Sequence, residues 1–251
     1  MSEKPQPTLQ TLDRGILTLQ MVARTPEGTT VAEIAHTLGV HRAIAYRIVA
    51  TLEAHGMVSR SRSGRVLLGI GIPAIAHHYM PQFKSLAQPL IRELAQVVGA
   101  TTFVAHAEGT DCVAFLVEEP EVPMIRVGYR VGSRHPLDQG AAGIAILAGR
   151  QPHYDDSAEV KEAREKGYSL TRGMLQRGAV GVAVPLQRRG DGDGEPEFSI
   201  GVVAMEDLDI GLAIGHLKVA SGTLASAAGL AAGNEAASRH VHESDPSRRE
   251  E

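Results

Sequence analysis

The 251-residue chain is 43% hydrophobic with a formal net charge of −4, enough apolar material for one large domain or two ordinary ones with separate cores. No apolar run approaches the roughly 18 residues a spanning helix needs, and the opening MSEKPQPTLQ has no apolar signal core, so a cytoplasmic protein without a membrane partner is expected. The single cysteine, Cys112, excludes an internal disulfide or a cysteine metal cluster; within the apolar run CVAFLV it reads as a buried, inert thiol.

In chain order, residues 1–8 are polar and proline-containing and are expected to be disordered. Leu9, Leu12, Ile16 and Leu19 recur at helical spacing, so 9–24 reads as an amphipathic helix that TPEG then breaks. Thr29-Thr30 can cap a second helix through Leu38, with Gly39 supplying the turn. A third helix is expected from about Arg42 to Ala54. Its inner stripe is Ile44 or Ala45, Ile48, Val49 and Leu52, leaving Arg42, Ala43, Tyr46 and Arg47 on the other side. MVSR and RVLL follow as two short strands around SRSG. Helix, turn, helix and wing in that order make a winged helix-turn-helix over 9–70.

Pro73 and Pro81 bound a predicted linker helix within 71–82, and 83–98 predicts a helix of a second domain spanning 83–235. Strands are expected at TTFVAHA, CVAFLVEE and PMIRVGY, then a small-residue helix starting near Asp138 as N-cap, a helix at 157–166, strands at GAVGVAVPL and FSIGVVAME, and a closing helix at about 209–232. Mixed strands with flanking helices describe an α+β sensor-type domain. Residues 236–251 read as a disordered, solvated tail.

These residues resemble the IclR family of bacterial transcriptional regulators. The resemblance rests on LGVHRAIAYRIVATLEAHGMVSR, RVLLG, VGSRHPLDQGAAGIAILAG and GYSLTRGMLQRGAVGVAVPL, and covers about 9–232. It implies a winged helix that binds a palindromic operator, a linker helix, a C-terminal GAF-like domain that binds a small effector, and dimers, often paired into tetramers. It also implies pocket positions at Met124, Val127, Ala141, Ala142, Gly181, Val202 and Ala204. This chain departs from the family pattern at Ala43-Ile44, where a Ser-Thr pair is usual, at Ile144, where Lys is common, and at Met174, where Glu is common. The first change removes a hydroxyl that could contact phosphate or a base edge, and the other two make their region less polar.

Charge and side-chain chemistry support a nucleic-acid reader. Residues 1–70 hold eight Lys/Arg against five Asp/Glu, a balance of +3, which leaves −7 for the remainder. His41, Arg42, Ala43, Tyr46 and Arg47 on the third helix, with Arg60, Arg62 and Arg65 on the wing, form the candidate interface with double-stranded DNA. Arginine forks bind phosphates or the guanine edge, and a wing reaches the adjacent backbone. Arg47 has an alternative partner in Glu53, and a solvated basic face is the bland reading.

The effector expected from the small, apolar pocket positions is a small organic acid with a hydrophobic or aromatic body, its carboxylate seated on the free amides after Asp138; a dry core packed from the same residues is the alternative. No metal, cofactor or catalytic residue is expected: His77-His78 are adjacent rather than four apart, GDGDGEPEF lacks the closing Glu of a calcium loop, and nucleophile-elbow, phosphate-loop and HExxH signatures are absent. Two rivals remain, a hydrolase or transferase using Arg134, His135 and Asp138, and a ligand-binding protein without operator binding.

Overall fold

The computed structural model describes residues 9–121, 128–186 and 197–229. The chain divides into two compact units, Met1–Gln82 and Phe83–Glu251. The expected disordered ends, and the bulk of the PMIRVGY strand and of the GDGDGEPEF turn, lie outside the described residues.

The first unit contains α1 (Gln10–Ala23), α2 (Val31–Thr37), α3 (Arg42–Ala54), the antiparallel hairpin of β1 (Val58–Arg60) and β2 (Val66–Leu68), and α4 (Gly71–Ala76). Thr30 opens α2 with a capping box: its hydroxyl accepts from Glu33 N–H, while the Glu33 carboxylate accepts from Thr30 N–H at 2.7 Å and from the Thr29 hydroxyl at 3.0 Å. Gly39 turns the chain into α3 at φ 61°, where a Cβ would be strained. Val22, Val31, Ile34, Ala45, Val49, Val58 and Val66 form the core, with Leu19 packed against it. Thr29 bridges to Val66, tying the hairpin to the start of α2. At Gly69 the backbone passes so close to Gly56 that a Cβ would stand 2.1 Å from its carbonyl oxygen, so only glycine fits.

The predicted single linker helix is instead broken at His77-His78. The helix that follows, α5 (Tyr79–Val98), absorbs Pro81 in its first turn. Pro73 likewise falls in the first turn of α4. First-turn N–H groups have no intrahelical acceptor, so each proline begins a helix rather than ending one.

The second unit is built on an antiparallel sheet of β3 (Thr101–Glu108), β4 (Asp111–Glu118), β5 (Arg134–Pro136), β6 (Ser169–Arg172), β7 (Ala179–Pro185) and β8 (Phe198–Met205), in spatial order β5-β4-β3-β8-β7-β6. α6 (Gly140–Ala148) lies on one face, where Ala141, Ala142, Ala145 and Ile146 pack on Phe103, Ala105 and Ala183. α7 (Ala158–Lys166) packs Val160 and Ala163 against α6, and α8 (Ile210–Ala227) runs along β7 and β8. α5 covers the opposite face: the Phe83 ring packs tilted against Phe198 at 4.4 Å between ring centroids, and the Thr102 hydroxyl donates to Ile91 O at 2.7 Å. The α+β organisation read from the sequence is the one observed. No helix among the described residues is long and apolar enough to cross a membrane.

Candidate nucleic-acid interface and ligand pocket

On α3 the apolar period of 3.6 buries Ala45, Ile48 and Val49 and turns Arg42, Ala43, Tyr46 and Arg47 to solvent. Ala45, not Ile44, takes the inner position. His41 is the N-cap, its Nδ1 accepting from Ala43 N–H at 3.3 Å, so its ring is partly committed to the helix it begins. Tyr46 stands between two guanidinium groups, Arg42 of its own helix and Arg60 of the wing, each 5.7 Å from its ring centroid. Helix and wing therefore present one continuous cationic surface.

The wing arginines divide into different roles. Arg60 Nε pairs with Glu53 at 3.1 Å, taking the carboxylate that the sequence offered to Arg47. Arg65 is half-buried and donates from Nε and Nη2 to the Gly28 carbonyl, and from Nε to that of Glu27; it anchors the wing to the loop before α2. Arg62 is exposed at the tip, and neither its guanidinium nor that of Arg47 makes a hydrogen bond among the described residues. Arg65 is thus displaced from the set of free phosphate contacts, because a charged donor beside two uncapped carbonyls is better satisfied there.

In the second unit a cavity of about 290 Å³ opens between the sheet and the start of α6, lined among others by Phe103, Tyr129, His135, Ala142, Leu175 and Val203. Ala141 and Gly181 also line it, so three of the expected positions come together. A Cβ on Gly181 would meet the Ala141 Cβ at 3.2 Å, which explains the small residue there. Met124 and Val127 lie outside the described residues. Val202 and Ala204 are placed on the wrong face by one residue. Phe198 faces α5, strands alternate, and so Ile200, Val202 and Ala204 face that way too, while Gly201, opposite Phe103, and Val203, opposite Gly181, face α6. Val203, not Val202 or Ala204, lines the cavity.

Asp138 does not cap α6. The N-cap is Gln139, which makes no side-chain cap, and Asp138 is exposed. The Gly140 N–H is directed at Met174 Sδ, 3.0 Å away, a weak acceptor, while Ser169 fixes the helix by donating to Ala141 O at 2.6 Å. The triad-like rival does not assemble: Arg134 is held by Asp111 and Glu108, and of Arg134, His135 and Asp138 only His135 is buried. Phe103, Tyr129, Leu175 and Val203 were not anticipated; they converge from separate segments, and no spacing in the sequence signals it. Among the described residues no group of three or more His, Cys, Asp or Glu is arranged to hold a metal ion.

Residues 11–62 match the family model of the IclR helix-turn-helix domain. Over 142 residues the chain is 30% identical to the HTH-type transcriptional repressor AllR of Escherichia coli K12 and to that of Salmonella typhimurium, an alignment covering 55% of this chain and 52% of each relative. The chain thus spans about half the length of the curated relatives it matches. Similar folds are found in an IclR-family regulator from Rhodococcus sp. (20% identity, TM-score 0.56, 90% of this chain and 98% of that one) and in an IclR regulator from Silicibacter sp. TM1040 (18%, 0.54, 89% and 97%). The helix-turn-helix with its wing hairpin, followed by an antiparallel-sheet domain, is the architecture this chain shares with those structures, and its residues 11–62 form a helix-turn-helix domain of the IclR type.

Proposed function

We propose that this regulator binds a palindromic DNA operator as a dimer or dimer of dimers, and that a small organic acid in the second unit modulates it. The observation that carries the first part is the exposed surface of Arg42, Tyr46 and Arg47 on α3, continued by Arg60 and Arg62 on the wing. In a helix-turn-helix the second helix enters the major groove, where arginine forks read guanine, and the wing tracks phosphate. Dimerisation is supported by α1, whose Leu9, Leu12 and Ile16 are 76%, 61% and 49% exposed. A two-fold protein reads a symmetric site whose half-sites lie one helical turn, or a multiple, apart. The test is selection of duplexes from a genomic library followed by titration at several salt concentrations. A palindromic site bound far above bulk DNA is expected; binding indistinguishable from bulk DNA overturns the operator reading.

The effector reading rests on the cavity beneath α6, apolar on most sides and closed at one end by the uncapped first turn of a nine-residue helix. Unpaired N–H groups and the positive dipole end seat a carboxylate, and Phe103, Leu175 and Val203 suit an apolar body. Thermal shift with aromatic and short aliphatic acids tests this, with Ala142→Phe filling the site. Stabilisation of wild type but not of the filled variant is the expected result; equal responses place the pocket elsewhere.

A further inference from the structure

We infer that Ala43 and Ile44 select a thymine in each operator half-site, reading its C5-methyl group by apolar contact in the major groove beside the base edge or phosphate taken by Arg47. This rests on the operator reading above and names a base preference within it.

Turning about 100° per residue, α3 places Ala43, Arg47 and Ala50 on one line opposite the buried Ala45, Ile48 and Val49, and all three are exposed. That line is what the helix offers to a groove. Arg42 and Tyr46 lie on the flank nearest the wing, where the Arg60 guanidinium stands 5.7 Å from the Tyr46 ring centroid. Ile44 lies on the other flank, about 160° from Tyr46 about the helix axis. It is 39% exposed, and the core of its unit closes with Ala45 in the inner position. The first turn of the helix therefore carries an apolar surface among cationic neighbours.

Neither residue has a polar group left to offer. Their side chains carry none. The Ile44 N–H donates to His41 O at 2.8 Å, and the Ala43 N–H to the His41 ring at 3.3 Å. Their carbonyls accept from N–H groups one turn on, within the helix. The N-terminal residues of such a helix are the ones that meet base edges, so this turn recognises an apolar group rather than a donor or acceptor. On the major-groove edges of the bases that group is the C5-methyl of thymine; the other features are hydrogen-bond donors and acceptors. The occupant of this apolar step is set by charge: Arg42, Arg47 and Arg60 surround it and draw a polyanion to the same face.

The test uses the full chain and the palindromic duplex recovered by genomic selection, with binding read from fluorescence anisotropy of the labelled duplex at fixed salt. Thymines are replaced by deoxyuridine, which removes only the methyl, at symmetric positions of both half-sites, one pair at a time. One pair is expected to weaken binding about threefold per half-site and about tenfold together, the size of one buried methyl on each side, and the others by less than about twofold. At that position cytosine should lose affinity and 5-methylcytosine recover part of it. Ile44→Ala should cut the thymine-to-uracil ratio to about threefold or less and leave the salt slope in place, since no charge is removed. Arg47→Ala should weaken thymine and uracil duplexes alike. Melting temperatures check that both variants fold.

A flat uracil scan on a duplex bound far above bulk DNA overturns the inference and leaves the operator reading standing. So does a loss that 5-methylcytosine does not recover, or a thymine preference undiminished in Ile44→Ala. A changed sedimentation of Ile44→Ala without DNA assigns that side chain to a protein contact and overturns it as well. Selection that returns no preferred duplex removes the operator reading and the inference together.

Discussion

Glu53, in the last turn of α3, holds Arg60 of the wing at 3.1 Å, and the same guanidinium stands 5.7 Å from the Tyr46 ring centroid. One carboxylate thereby neutralises part of the surface proposed to face DNA. Glu53→Gln is expected to strengthen DNA binding about two- to fivefold at low salt, comparable to the strength of an exposed ion pair. The gain should be similar on specific and bulk DNA. Unchanged or weaker binding in a salt titration contradicts this arrangement.

Arg62 and Arg65 lie three residues apart and are expected to fail in different assays. Arg65→Met removes charged hydrogen bonds to the Glu27 and Gly28 carbonyls and should lower stability by about 1–3 kcal/mol in denaturant titration. The salt slope of DNA binding stays the same. Arg62→Ala should leave the denaturation midpoint in place and reduce that slope by about one unit. The opposite pattern would reverse the roles assigned to these two side chains.

The capping box at Thr30 makes a prediction about acid stability. Backbone and hydroxyl donors from Thr30 and the Thr29 hydroxyl hold the Glu33 carboxyl below its ordinary range. Because the folded-state value is depressed, its stabilising contribution is complete above the unfolded glutamate range and is lost as pH falls through the lowered value. Glu33→Gln should flatten the acid side of the stability curve and change little on the alkaline side. Thr30→Ala should cost about 1 kcal/mol at neutral pH.

Leu12→Asp with Ile16→Asp tests the proposed dimer more cleanly than any change at Leu19, which packs on the core of its own unit. The double variant is expected to fold, to sediment as a smaller species, and to lose operator affinity in parallel. Tight operator binding by a wild-type protein that is monomeric at micromolar concentration contradicts the symmetric reading.

Cys112 is fully buried between β3 and β5, and burial pushes its thiol up to about 12. Thiolate is therefore scarce at neutral pH. Native protein should resist an aromatic disulfide reagent that reacts promptly once the chain is unfolded in denaturant; prompt native-state reaction would contradict the packing.

The sequence by itself determined the winged helix-turn-helix, because each signal there is local: a 3.6-residue apolar period, a Thr-x-x-Glu cap, Gly39 at the turn and a Ser/Gly hairpin. The exposed set on α3 followed from the same period. The family resemblance, not the residue pattern, pointed to Ala141, Ala142 and Gly181, and these three do line one cavity. Tertiary structure decided which arginines are free. Glu53 and the Glu27 and Gly28 carbonyls lie several to nearly forty positions from their partners, and sequence spacing cannot express such a match. It also decided the face of β8. FSIGVVAM is apolar at nearly every position because the strand is covered on both sides, so alternation carries no direction; only pairing with Phe103 and Gly181 brings Val203 to the cavity and turns Val202 to the opposite face of the sheet.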